Sequence, residues 1–344
     1  MRCGRDESRP YKAGNVGSGG RLTRVYVTRR MPGGAIDRLR EHAEVEVWPG
    51  EDPPPYDELC KQASVADGII AMITDRIDAG LIAASPKLRV VSNMAVGYDH
   101  VDIAAATARR ILVTNTPGVL TETVADLTFA LMLAFARRLP EGERVVREGR
   151  WPAWRPAFLL GRDVYGTTLG IVGLGAIGLA MARRARGFGM KVLYASRSRK
   201  PEAEAELGLE WRDLDALLRE SDYVSLHAAL TPETRRMIGR EQLALMGPQA
   251  VLVNTGRGAL VDQGALVEAL REKRIGGAAL DVFETEPIAP GDRLLALDNV
   301  LVAPHMGSGT VATRSRMADL AVENVIAFFE GRRPPCCVNP EVLE

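Results

Sequence analysis

The sequence has no excess of charge of either sign: Lys plus Arg and Asp plus Glu each total 44 of 344 residues. That balance argues against nucleic acid or an anionic membrane surface as a partner, because both call for a basic patch. Cysteine is scarce, with four residues at Cys3, Cys60, Cys336 and Cys337. None has the spacing of a zinc site, and the adjacent pair is badly placed to ligate one tetrahedral ion or close a useful loop. All four read as structural or incidental, which fits a reducing cytosol, so a cytoplasmic protein without a metal is expected. Long apolar runs are also missing. The longest, residues 124–136, contains Asp126 and is too short to span a bilayer. Residues 1–20 lack the apolar core of a signal peptide. Polar, charged and Gly-rich, they read as a flexible N-terminal extension.

What remains is an ordinary globular balance, 46% hydrophobic and 26% charged, at a length that suggests two domains. From residue 22 onward, short Val/Ile-rich runs alternate with amphipathic stretches. Residues 24–28 (RVYVT), 45–48, 68–73 (GIIAMI), 88–92 (LRVVS) and 111–113 read as strands, with helices over 34–42 and 57–66 between them. A long helix is expected over 121–139, capped by Thr121, and then an irregular excursion over 140–165. A second series of strands follows at 168–172 (TLGIV), 191–195 (KVLYA), 223–226 (YVSL), 250–254 (AVLVN), 277–281 (GAALD) and 300–303 (VLVA). A final helix covers 311–330. Short, nearly unbroken apolar strands alternating with helices indicate parallel sheets buried on both faces.

The sharpest motif is Gly173-Leu174-Gly175-Ala176-Ile177-Gly178. It follows a strand and opens a helix, the context that a dinucleotide fingerprint requires. The first glycine permits a tight turn, the second lets the backbone approach a pyrophosphate, and the third lets helix and strand pack closely. The helix N-terminus then offers N–H groups to the phosphates. About 20 residues on, where NAD enzymes carry an acidic residue for the ribose hydroxyls, stands Ser196-Arg197-Ser198-Arg199-Lys200. Arg197 can pair bidentately with a 2′-phosphate and Ser196 can donate to it. NADP(H) is therefore the expected coenzyme, with NAD(H) the second choice.

Four segments converge in order: VGLGAIG at 172–178, NTGRG at 254–258, DVFETEP at 281–287 and PHMGSG at 304–309. Residues 22–338 resemble the D-isomer-specific 2-hydroxyacid dehydrogenases. AVGYD at 95–99, WPAW at 151–154 and the Ser-Arg segment make the glyoxylate/hydroxypyruvate reductases the nearest subgroup. The resemblance implies two doubly wound α/β domains with the active site in the cleft between them. A Rossmann NAD(P)-binding domain (121–306) would be inserted into a flavodoxin-like substrate domain (21–120 and 307–344).

The resemblance also implies catalytic roles for Arg257, Glu286 and His305. The chemistry agrees. Hydride attack on a keto carbon leaves charge on oxygen, which a general acid near neutral pKa must meet. A carboxylate hydrogen-bonded to that imidazole would favour its charged form and fix its orientation. An arginine would grip the substrate carboxylate and the developing oxyanion. By residue type and position alone, His227 rivals His305, because it too ends a strand; the resemblance assigns it to the cofactor. His42, on a helix, and His100, on a loop, read as structural. Further implied cofactor contacts are Ser198, Thr255, Gly256, Asp281 and Gly307. Implied substrate contacts are the backbone at Val96 and Gly97, with Ser308 and Trp154. In the resembled reductases a tryptophan from the latter region reaches the neighbouring subunit, so a homodimer is expected. The substrate should be a small 2-keto acid. Other readings are another D-2-hydroxyacid dehydrogenase, such as a phosphoglycerate dehydrogenase, and a non-catalytic NAD(H)-sensing co-repressor.

Overall fold

The computed structural model describes residues 23–344, so the N-terminal extension expected at 1–20 lies outside the described residues. The chain forms two compact units. One comprises residues 23–120 with Ser308–Glu344, and the other Thr121–Gly307.

The first unit is built on five parallel strands: β1 (Arg24–Val27), β2 (Glu44–Val47), β3 (Gly68–Ala71), β4 (Val90–Asn93) and β5 (Leu112–Thr114). Their order is β2-β1-β3-β4-β5, the flavodoxin-like arrangement. Every residue of the central strands β3 and β4 is buried, which explains their unbroken apolar character. Helices cover both faces. Asp78 and Asp102 start two of them by accepting hydrogen bonds from the N–H groups of Leu81 and Ala105. The last long helix, Val311–Phe329, returns to this unit after the second is complete and packs on β4 and on the helix Ala35–Arg40. His42 falls just beyond that helix, not on it, and its Nδ1 lies 3.2 Å from Glu330.

The second unit has seven parallel strands: β6 (Thr168–Val172), β7 (Lys191–Ala195), β8 (Glu210–Trp211), β9 (Tyr223–Leu226), β10 (Val251–Asn254), β11 (Gly277–Leu280) and β12 (Val300–Val302). The order is β12-β11-β10-β9-β6-β7-β8. Strand order reverses between β6 and β9, and ligands bind past the carboxyl ends of strands at such a switch point. The two-residue edge strand β8 escapes the sequence reading because so short a segment has no periodicity to detect.

Two further expectations need correction. The helix expected over 121–139 runs from Thr121 to Ala136, and Thr121 is its first residue, not its cap. Arg138, at φ 53°, breaks the chain direction. A second helix, Leu139–Arg147, then occupies the start of what read as irregular chain. Its proline sits in the first turn, where a missing N–H costs nothing. Asp126 interrupts the apolar run because it faces outward to Arg184 of the helix Ala176–Gly187, at 2.5 Å. No helix among the described residues is long and apolar enough to cross a membrane.

The C-terminal chain closes the first unit through Asn339, which is 1% exposed. Its Oδ1 accepts the Val113 N–H at 2.7 Å, and its Nδ2 donates to the Ile111 carbonyl at 2.9 Å. Asn339→Ala strands both buried backbone groups at once. The expected loss is about 2–4 kcal/mol in urea unfolding, and a change below about 0.5 kcal/mol would disprove this anchoring role.

Candidate active site

The glycine-rich turn between β6 and the helix Ala176–Gly187 meets three separate demands. Gly173 sits at φ +96°, and a Cβ there would lie 2.6 Å from the backbone nitrogen of Ala228. At Gly178 a Cβ would lie 2.3 Å from the Gly173 carbonyl oxygen, so only glycine lets the helix approach the strand. At Gly175 a Cβ would meet nothing within 4 Å. The open backbone at the helix N-terminus therefore fits an approaching pyrophosphate. Leu174 is buried and pins the turn to the core, while Ala176 and Ile177 begin the helix.

Beyond β7 the basic segment divides its work. Arg199 is committed to Glu204, at 2.6 Å, and Glu204 also accepts from the Tyr194 hydroxyl. The Ser196 hydroxyl donates to the Ser198 carbonyl at 2.6 Å, tightening the turn. Arg197 is exposed, and among the described residues its charge is felt by Glu233 but it makes no direct hydrogen bond or ion pair. With Lys200, which is also exposed, it is available to an incoming phosphate.

At the carboxyl ends of β10, β11 and β12 the structure gathers Arg257, Glu286 and His305. His305 Nδ1 lies 2.6 Å from Glu286 Oε2, and both side chains are 28% exposed. The other carboxylate oxygen accepts the Phe283 N–H at 2.9 Å. Burial alone would push the Glu286 carboxyl up. The His305 hydrogen bond and charge, the Phe283 N–H and the Arg257 charge outweigh burial and hold it below the usual carboxylate range. Glu286 therefore stays anionic near neutrality. With Nδ1 engaged, Nε2 is the ring nitrogen left to face a reactant, and among the described residues it has no partner.

The backbone around these side chains is tightly determined. Asn254, at the end of β10, donates to the Arg257 carbonyl at 2.9 Å and accepts the Gly256 N–H at 3.0 Å. A Cβ at Gly258 would lie 1.8 Å from the Phe283 carbonyl carbon, so the Arg257 turn rests directly on the loop that carries Glu286. His305 has φ 51°, a left-handed conformation uncommon for a side-chain-bearing residue. Asp281 explains how it is held. Its carbonyl accepts the His305 N–H at 2.9 Å, and its two carboxylate oxygens accept the N–H groups of Met306 and Gly307, each at 2.8 Å.

Two residues expected to touch cofactor thus have their side chains engaged by the protein itself. Asp281 is fully buried and braces the His305 loop. The Thr255 hydroxyl lies 2.7 Å from that of Thr128 on the neighbouring helix. Nothing in the one-dimensional pattern separates bracing from binding, because both functions call for a polar residue at a strand end.

His227 ends β9 beside the glycine turn, where its N–H donates to the Val172 carbonyl. Its Nε2 lies 2.8 Å from the Ser225 hydroxyl. The residue keeps some surface contact, yet desolvation of the ring pushes its pKa down to about 4. A histidine neutral at pH 7 is poorly suited to donate a proton, which physically separates the two candidates that residue type left equal. Val96, Gly97 and Ser308 lie in the first unit, the first two in the loop that follows β4. Trp154 is 78% exposed on the second unit.

The glycine turn and the switch-point sheet define an α/β protein of the dinucleotide-binding class. Residues 129–307 match the family model for the NAD-binding domain of D-isomer-specific 2-hydroxyacid dehydrogenases. The chain is similar to the glyoxylate reductase of Korarchaeum cryptofilum, 54% identical over 93% of this chain and 97% of that one. It is also similar to the glyoxylate reductase of Thermococcus kodakarensis, 52% identical with the same coverage. Among solved structures it resembles the NADPH-dependent glyoxylate/hydroxypyruvate reductase of Sinorhizobium meliloti in complex with NADP and malonate. That match has a TM-score of 0.83 at 36% identity and covers 92% of this chain and 97% of that one. The chain belongs to the D-isomer-specific 2-hydroxyacid dehydrogenase family and is an NAD(P)-dependent oxidoreductase of that class.

The depressed pKa of His227 makes folding sensitive to acid. The unfolded imidazole takes up a proton near pH 6.5, and the folded one refuses it until about 4. Stability that is complete above pH 6.5 is therefore lost progressively as pH falls toward 4. His227→Gln should flatten that part of the unfolding free-energy profile. An unchanged slope between pH 6.5 and 4 would show that the ring is not desolvated.

Proposed function

We propose that the protein reduces a small 2-keto acid, glyoxylate or hydroxypyruvate, to the D-2-hydroxyacid, with NADPH preferred over NADH. The observation that carries this reading is the 2.6 Å contact between His305 and a Glu286 held anionic by its surroundings. It fixes the ring's orientation and which ring nitrogen meets the reactant as general acid. The glyoxylate reductases above, at 52–54% identity, supply the substrate class.

When bound, the reduced nicotinamide supplies the hydride. Nε2 of His305 delivers the proton to the carbonyl oxygen and takes it back in the oxidation direction. Arg257 binds the substrate carboxylate and stabilises charge developing on the oxygen. The second unit holds the coenzyme through Gly173–Gly178, with backbone contacts from Thr255, Gly256 and Gly307, and with His227 near the cofactor. The N–H groups of Val96 and Gly97 and the Ser308 hydroxyl are assigned to the substrate by the family resemblance. Arg197, exposed and not hydrogen-bonded within the described residues, supports the NADPH preference, with Ser196 and Ser198 shaping its turn. The free thiol of Cys60 accords with a cytoplasmic setting.

Leu139, Val146, Trp151, Trp154, Leu160 and Tyr165 are each more than half exposed, all within one short part of the second unit. So much bare apolar side chain is costly in water. We assign it to a second copy of the chain, with Trp154 reaching the partner's substrate pocket. Light scattering on the purified protein should return twice the 37.3 kDa chain mass, and a fully active monomer would refute the assignment.

A panel of 2-keto acids assayed with NADPH and NADH tests the reaction. Glyoxylate and hydroxypyruvate should lead the panel, with the larger kcat/KM on NADPH. His305→Ala should lower kcat by roughly 10²–10⁴-fold while NADPH binding stays near wild type. Wild-type turnover in that variant would remove His305 from the chemistry, and an NADH preference would remove only the coenzyme claim.

A further inference from the structure

In the loop after β4, three successive carbonyls are each tethered by a hydrogen bond. The Ala95 carbonyl accepts the Thr116 N–H at 2.9 Å. The Val96 carbonyl accepts Nδ2 of Asn115 at 2.8 Å. The Gly97 carbonyl accepts Nδ2 of Asn93 at 2.7 Å, and the same amide nitrogen lies 3.4 Å from the Ala95 carbonyl. In a trans peptide the C=O and the N–H point to opposite sides. Each tethered carbonyl therefore turns the next residue's N–H, those of Val96, Gly97 and Tyr98, away from its own tether. Among the described residues none of the three has an acceptor. Successive N–H groups make a concavity suited to an anion.

The tethers are not incidental surface contacts. Asn93 is fully buried, yet it gives both of its bonds to this loop, and its Oδ1 meets no donor among the described residues. A buried amide left half satisfied is costly, so its place is explained by what the nitrogen holds. Asn115 is itself fixed, because its backbone carbonyl accepts Nδ2 of the buried Asn324, whose Oδ1 takes the Cys336 N–H.

We propose that Asn93 and Asn115 are positioning residues that set the peptide planes of 95–98, and that the Tyr98 N–H joins those of Val96 and Gly97 in binding the substrate carboxylate. This rests on the reading of that loop as the carboxylate site. Neither asparagine touches substrate. Both act through the direction of the carbonyls they hold.

The test uses oxalate, a dicarboxylate that needs no turnover, titrated calorimetrically into the full-length protein saturated with NADP. Asn93→Asp and Asn115→Asp each put a carboxylate where an amide nitrogen faced a carbonyl, which drives that peptide to turn over. Each variant should bind oxalate at least about 10-fold more weakly, the loss expected when a hydrogen bond to a charged group goes. The Kd for NADP should stay within about twofold of wild type, a split that general unfolding would not produce. The KM for glyoxylate should rise by a similar factor with a smaller change in kcat. If Asn93→Asp does not fold, the partly exposed Asn115→Asp and the milder Asn115→Ala carry the test. Wild-type oxalate affinity in the folded variants would overturn the proposal, as would a wild-type protein that does not bind oxalate. Failure of wild type to turn over any 2-keto acid would count against the functional reading, and the oxalate titration would still report on the loop.

Discussion

Asp281 is fully buried at the end of β11, and it spends both carboxylate oxygens on the N–H groups of Met306 and Gly307. Burial pushes its pKa up, while those two donors and the nearby His305 pull it down, and burial prevails. Its own carbonyl holds the His305 N–H. A left-handed backbone at a histidine persists only where the surroundings over-determine it, and Asp281 supplies three of the constraints. The reach of Nδ1 to Glu286 depends on that fixed backbone. So does the identity of the nitrogen left for chemistry.

The same logic recurs around the site. The Arg257 turn lies so close to Phe283 that position 258 has no room for a side chain. Movement of the Arg257 turn is thereby coupled to the loop carrying Glu286, and Arg257 contributes to keeping Glu286 charged. Three groups from three strand ends are thus held by supports that touch one another. Backbone contacts between the loops hold the three side chains in place more firmly than three independent loops would.

His227 and His305 show what environment adds to residue identity. Both follow parallel strands of one sheet, and both have a polar side chain at hydrogen-bond distance. One faces a hydroxyl in a crowded setting and is held neutral. The other faces the Glu286 carboxylate through Nδ1, which leaves Nε2 open. Histidine chemistry here is decided by the partner and the solvent, not by the strand end.

Much of this was legible in the one-dimensional pattern. Unbroken apolar strands such as GIIA and VLVN announce parallel sheets, because both faces must be buried. The spacing of Gly173, Gly175 and Gly178 announces a phosphate-approaching turn, because each demand is local to a few bonds. The missing acidic residue after β7 is local too, and so is the basic stretch in its place. Where the helix from Thr121 ends was not legible, since Arg138 in a left-handed turn carries no sequence signal. Nor was the bracing role of Asp281 and Thr255, or the tethering of three carbonyls by Asn93, Asn115 and the Thr116 N–H. Those roles depend on which atoms, distant along the chain, arrive within 3 Å of one another. Periodicity and local sterics are written in neighbouring residues, so the chain alone determined its sheets and its glycine turn. Hydrogen-bond partners and desolvation are properties of assembled space, and only the tertiary structure could decide them.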